Sequence, residues 1–145
     1  VAYNTASTPT YFKPDNSIID GGVFQNNPAL IAALEAKILY PGDKINLLSI
    51  GCGRNIEPID VGKGGKAQWS SKIVDVMTDA TTEGVNFMVE NSFPDINLLR
   101  LQINLPYNID LADYDKITEL EDFGNAMYYR NVENIISWKQ RGDIR

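Results

Sequence analysis

Ile18-Ile19-Asp20-Gly21-Gly22-Val23-Phe24-Gln25-Asn26-Asn27-Pro28 is the stretch on which the reading turns. A short apolar run ends in a carboxylate. Two glycines follow, and then an Asn-Asn-Pro helix start. A carboxylate at the end of a strand, before a Gly-rich turn, is where α/β proteins place chemistry. The glycines let another segment or a substrate approach the backbone closely. Taken alone, Asp-Gly-Gly is most often a turn with a solvated acid, and Asp20 then does no more than cap the turn into the next helix.

Working forward, Asn26 or Asn27 serves as an N-cap and Pro28 suits the first helical position. Ala29, Leu30, Ile31, Ala32, Ala33, Leu34, Ala36, Ile38 and Leu39 make the helix from Pro28 to Leu39 apolar nearly all round. Such a helix is expected to be buried on more than one side. Tyr40-Pro41-Gly42-Asp43 ends it. Ile45 to Ile50 then reads as a buried parallel strand, closed by Gly51-Cys52-Gly53. Arg54 to Lys66 reads as a long loop, including a mobile Gly62-Lys63-Gly64-Gly65. Trp69 to Phe93 is expected to be one helix with Ile73, Val74, Met77, Val85, Met88 and Val89 as its stripe. Asn97 to Ile103 gives another strand, with Leu99, Leu101 and Ile103 on one face. Asp113 or Asp115 caps a last helix packed through Ile117, Leu120, Phe123, Met127, Val132, Ile135 and Ile136, and Gly124 is tolerated within it.

Working backward, Val1 to Tyr11 reads as the tail of a helix with small side chains, stopped by Pro9. Lys13-Pro14-Asp15-Asn16-Ser17 is turn chemistry, and Ile18-Ile19 is a short strand. Strand, helix, strand, helix, strand, helix implies right-handed crossovers and a parallel sheet flanked by helices. Only three strands are visible and the chain starts at Val1. It therefore reads as the carboxyl half of a larger α/β domain.

The 145 residues hold 19 acids against 13 basic residues, net −6. That balance argues against nucleic acid, which calls for clustered Lys and Arg. It also argues against steady adsorption on an anionic membrane. Six acids face one lysine between Asp110 and Asp122. They match no EF-hand spacing and read as a solvated face. A single cysteine, Cys52, excludes an internal disulfide framework. No signal peptide or bilayer-length apolar run occurs, which points to a cytoplasmic location.

The ordered motifs resemble those of the carboxyl-terminal half of patatin-like phospholipases. Ala6-Ser7-Thr8-Pro9-Thr10-Tyr11-Phe12 is similar to the family's lead-in, and Ile19-Asp20-Gly21-Gly22-Val23 to its catalytic aspartate motif. Asn26-Asn27-Pro28 is similar to the start of the helix that follows. Leu47-Leu48-Ser49-Ile50-Gly51-Cys52-Gly53 is similar to its strand end, with Cys52 where threonine is usual. Asn97-Leu98-Leu99-Arg100-Leu101-Gln102 is similar to its late strand. The resemblance implies the carboxyl-terminal part of a three-layer α/β sandwich with a mainly parallel sheet, all 145 residues belonging to one domain.

It further implies a Ser-Asp dyad acyl hydrolase acting on phospholipid or other acyl-ester lipid, with Asp20 as the base. No cofactor or metal is implied. The expected partners are the lipid, the missing nucleophile-bearing amino-terminal half, and a membrane surface met transiently. The chain has no Gly-x-Ser-x-Gly and no oxyanion loop, so by itself it is expected to be inactive. The rival is a non-catalytic fragment or interaction module.

Other chemistry-bearing residues have plainer readings. Ser49 lies in a strand without a nucleophile frame and reads as a core hydroxyl. Cys52 has no histidine to activate it and reads as structural. Trp69, Phe87 and Phe93 could line an acyl pocket but fit a helix packing face better. Arg54 and Arg100 could meet phosphate head groups, yet surface or packing roles fit them better.

Overall fold

The computed structural model describes residues 7–9, 11–13, 18–60, 62–70, 72–110 and 112–143. The expected helix tail before Ser7 and most of the expected turn at 13–17 lie outside the described residues. Helices α1 (Gly22–Gln25) and α2 (Ala29–Leu39) lead into strand β1 (Ile45–Ile50) and a two-residue strand β2 (Arg54–Asn55). Helices α3 (Lys66–Ser70) and α4 (Ile73–Ser92) follow, then β3 (Ile96–Leu101) and β4 (Asn104–Leu105). A 3₁₀ turn, Tyr114–Lys116, opens into α5 (Ile117–Asp143).

β1 and β3 pair in parallel, Ile45 opposite Ile96 and Ile50 opposite Leu101. β2 and β4 pair in parallel, with Arg54 opposite Asn104. The second pairing continues the first with a shift of one residue. Gly51, Cys52 and Gly53 stand against only Gln102 and Ile103. Gly51 N donates to Leu101 O at 2.9 Å and Arg54 N to Ile103 O at 2.8 Å. This is a one-residue bulge, a device that re-aims side chains at the end of a strand. Gly53 sits at φ +106°, where a Cβ would lie 2.7 Å from Leu105 Cδ1. The sequence LSIGCG thus encodes a bulge whose glycines make room for the neighbouring strand.

Helices lie against both faces of the sheet, but on the α5 side Leu48 and Ile50 are 42% and 62% exposed, so β1 is not the fully buried strand expected. Alternate residues of β1 and β3 (Leu47, Ile96 and Leu98) pack on Ala29 and Ala33 of α2 and Val85 and Val89 of α4. Asn97 points the other way, to α5. Its Nδ2 donates to Trp138 O at 3.1 Å, and Trp138 Nε1 donates to Asn97 O at 2.7 Å. That reciprocal clamp is sequence-distant and went unread in the sequence.

Several expectations are corrected. Ile18-Ile19 forms no strand: Ile18 makes one isolated bridge, Ile19 none, and both are exposed. Asp20 already closes the turn into α1, which begins three residues after Ile19. The expected helix from Trp69 to Phe93 divides into α3 and α4. In α4 only Thr82, Val85 and Val89 are buried. Ile73, Val74 and Met77 are exposed because only the carboxyl half of α4 meets the α2–β3 core, and Met88 is exposed within that half at the edge of its Val85–Val89 side. The last helix is not capped by an Asp113 side chain. That carboxylate accepts from Asp110 N at 2.9 Å, while Asp113 O accepts from Lys116 N at 3.0 Å and starts the 3₁₀ turn. Within its expected stripe Ile117, Leu120 and Ile136 are exposed.

The pairing Lys37–Asp95 ties the end of α2 to the start of β3. The Lys37 hydrogen bond holds the Asp95 carboxyl below its ordinary value of 3.8. A carboxyl lowered on folding adds stability that is present above its unfolded pKa and is lost as pH falls through the folded one. Urea midpoints are therefore expected to fall below about pH 4, and Asp95→Asn to flatten part of that decline. An unchanged profile in Asp95→Asn would remove the pair from the acid response.

Candidate functional site

Asp20 is partly buried, between the Thr8 segment and α1. Its Oδ1 accepts from Gly22 N at 2.8 Å, closing an Asx turn into α1. Its Oδ2 accepts from Thr8 Oγ1 at 2.7 Å. A Cβ on Gly22 would sit 3.2 Å from Asp20 Oδ1, so a side chain there would push the carboxylate by a few tenths of an ångström. The carboxylate is thus fixed at both oxygens, one by its own turn and one by a segment twelve residues upstream. Each oxygen has a second lone-pair site, so both keep room for a further donor.

The Thr8 segment is itself held. Tyr11 N and Phe12 N donate to Thr8 O at 3.2 and 3.1 Å. Tyr11 donates its hydroxyl to Asp110 Oδ1 at 2.6 Å. That bond holds the Tyr11 phenol above its ordinary value and the Asp110 carboxyl below its own. The acid-rich run therefore does more than meet solvent at one point: Asp110 braces the segment that carries Thr8.

Downstream, Asn27 carries the turn into α2. Its Oδ1 accepts from Ala29 N at 3.1 Å, and its Nδ2 donates to Asn86 Oδ1 at 2.8 Å. Pro28, not the expected Asn, is the N-cap of α2; Asn27 is buried one residue before it, closes the turn ahead of the helix and joins it to α4. Removing it takes away the bond to Ala29 N and leaves Asn86 short of a partner. Asn27→Ala is expected to cost about 2 kcal/mol in urea unfolding, combining a lost turn bond with an unmade buried hydrogen bond. A loss under about 0.5 kcal/mol would show that water replaces both contacts.

The remaining candidates are placed apart from Asp20. Ser49 is buried, and its hydroxyl accepts from Arg100 Nη1 at 2.8 Å across the β1–β3 pair. Both side chains thus take the core and packing roles expected of them. Arg54 pairs at the surface with Glu83 at 3.5 Å. Cys52 is exposed on the bulge. Gln102 Oε1 accepts from Gly53 N at 3.0 Å, which steadies that bulge. Phe93 packs on the core as expected. Phe87 is 67% exposed, against the expected packing role, because it lies opposite the Val85–Val89 side of α4.

An open groove of about 790 Å³ lies between residues 53–60 and the first turns of α4. Glu57, Asp60, Asp75 and Asp79 line it with Arg54 and Lys72, and neither Thr8 nor Asp20 borders it. Among the described residues no group of three or more His, Cys, Asp or Glu could hold a metal ion. No helix among them is long and apolar enough to cross a membrane. No protein-family model, curated protein or solved structure matches the chain.

Proposed function

We propose that the protein is a lipid acyl hydrolase of the patatin-like kind, in which Asp20 is the general base of a Ser-Asp dyad. The observation that carries the reading is the Asp20 carboxylate, fixed by Thr8 and Gly22 N and flanked by glycines. The resemblance of the surrounding motifs supports it. A serine hydroxyl is a poor nucleophile until a base takes its proton. In this reading the serine comes from polypeptide outside these 145 residues. Asp20 accepts the serine proton while the serine oxygen attacks the ester carbonyl. The proton passes to the departing alcohol and an acyl-enzyme remains. Water, deprotonated by Asp20, then releases the fatty acid. The substrate is a phospholipid or related acyl ester, and transient contact with a lipid surface brings it to the site.

A second reading, a non-catalytic module, draws on the same geometry. Oδ1 of Asp20 is engaged in an Asx turn, which is what a purely structural aspartate does. Asn closes such a turn as well as Asp does but cannot act as a base. Turnover of a p-nitrophenyl acyl ester by the intact protein and its Asp20→Asn variant, each with a thermal melt, separates the two. Lost turnover at unchanged stability supports the hydrolase. Absent turnover in the wild type supports the module.

A further inference from the structure

We propose that Asp20-Gly21 is the site at which this chain is modified to isoaspartate, and that the Thr8 hydroxyl holds it against that change. It is the one Asp-Gly step in the chain, and no Asn-Gly step occurs. Glycine hinders the ring closure least, since it has no Cβ beside the attacking nitrogen. Gly21 N attacks Asp20 Cγ. The N–Cγ bond forms, the amide nitrogen gives up its proton, and one oxygen of the protonated carboxyl leaves as water. Water then opens the five-membered ring. Opening at the former main-chain carbonyl leaves the chain running through Cβ and Cγ of Asp20. One water leaves and one returns, and nothing is oxidised or reduced.

The fold obstructs ring closure at both oxygens. Oδ1 accepts from Gly22 N at 2.8 Å and Oδ2 from Thr8 Oγ1 at 2.7 Å. Whichever oxygen leaves must first give up a donor. The peptide that carries the nucleophile is held as well: Gly21 lies at φ −62° and ψ −23°, and its carbonyl accepts from Phe24 N and Gln25 N at 3.0 and 2.9 Å. The bonds within the turn form wherever α1 forms. The Thr8 bond arrives from twelve residues upstream, on a segment braced by Tyr11 and Asp110. It is therefore the restraint that a local opening of that segment removes.

Isoaspartate also changes the turn. Asp20 O accepts from Val23 N at 3.2 Å in the folded chain, and in isoaspartate that carbonyl becomes the side-group carboxylate. Both bonds that start α1 at Asp20 are thereby disrupted. The proposal stands apart from the acyl-hydrolase reading, since the ring closes at an Asp-Gly step whether or not the carboxylate serves as a base.

The test is to hold the protein for weeks at neutral pH, folded and in guanidinium chloride, and to map its peptides. An isoaspartyl peptide keeps its mass, elutes apart, and resists cleavage before Asp20 by an Asp-specific protease. The denatured chain is expected to accumulate isoaspartate at Asp20 faster than the folded one. Folded Thr8→Val is expected to do so about tenfold faster than wild type, the rate equivalent of one hydrogen bond to a charged group. Thr8→Ser, which keeps the hydroxyl, is expected at the wild-type rate. Gly21→Ala, compatible with φ −62°, is expected to remove the signal even in denaturant. The comparison of folded with denatured wild type decides the matter if Thr8→Val fails to fold. A denatured chain without isoaspartate at Asp20, a folded wild type that changes as fast as the denatured one, a folded Thr8→Val at the wild-type rate, or a Thr8→Ser as fast as Thr8→Val would each overturn the proposal.

Discussion

Asp20→Asn is expected to lower acyl-ester turnover by the intact protein about a thousandfold, the middle of the range for a lost general base. It is expected to leave the melting temperature where it was. The stability half of this expectation follows from geometry. An Asn side-chain oxygen can take over the bond from Gly22 N, which closes the turn into α1. The other position then faces Thr8 Oγ1, and a hydroxyl can accept from an amide as readily as it donates to a carboxylate. The turn survives while the base is gone. Thr8→Val probes the same site more gently. It removes one of the two bonds that orient the carboxylate and should reduce turnover by much less than Asp20→Asn. If Asp20→Asn keeps turnover within tenfold of wild type, Asp20 is a turn residue and the dyad reading ends.

Gly53→Ala should cost about 3 kcal/mol of folding stability. The residue is at φ +106° and its Cβ would lie 2.7 Å from Leu105 Cδ1 and 2.9 Å from Leu105 Cγ. A left-handed conformation costs an ordinary residue about 1–2 kcal/mol, and forcing a methyl into packed atoms about 1–3. Leu105 is buried, so it cannot simply swing away. Gly51→Ala makes a useful contrast. Its Cβ would meet Gln102 Oε1 and Arg100 Nη2, the far ends of long side chains. Moving Gln102 sacrifices its bond to Gly53 N, worth about 1 kcal/mol. Urea midpoints for the two variants should therefore rank Gly53→Ala well below Gly51→Ala. Equal midpoints would mean that the bulge relaxes around either methyl.

The sequence by itself determined several of the local elements. The near-continuous apolar run at Ile45–Ile50 is a strand, the stretch after Pro28 is a helix, and Tyr40-Pro41-Gly42 stops it. These follow from short-range causes: side-chain period, capping and turn chemistry act within a few residues. The same holds for the Asx turn at Asp20-Gly21-Gly22. Only the tertiary structure decided what each apolar face meets. Ile31 and Ala33 are both apolar positions of one helix, yet one is exposed and the other wholly buried, because burial depends on which distant element arrives. Thr8 on Asp20, Asn97 on Trp138, and the bulge that sets three residues against two are likewise products of register between segments far apart in the chain. No periodicity within one segment carries that information. It arises when β1 and β3 pair and fix their neighbours in space.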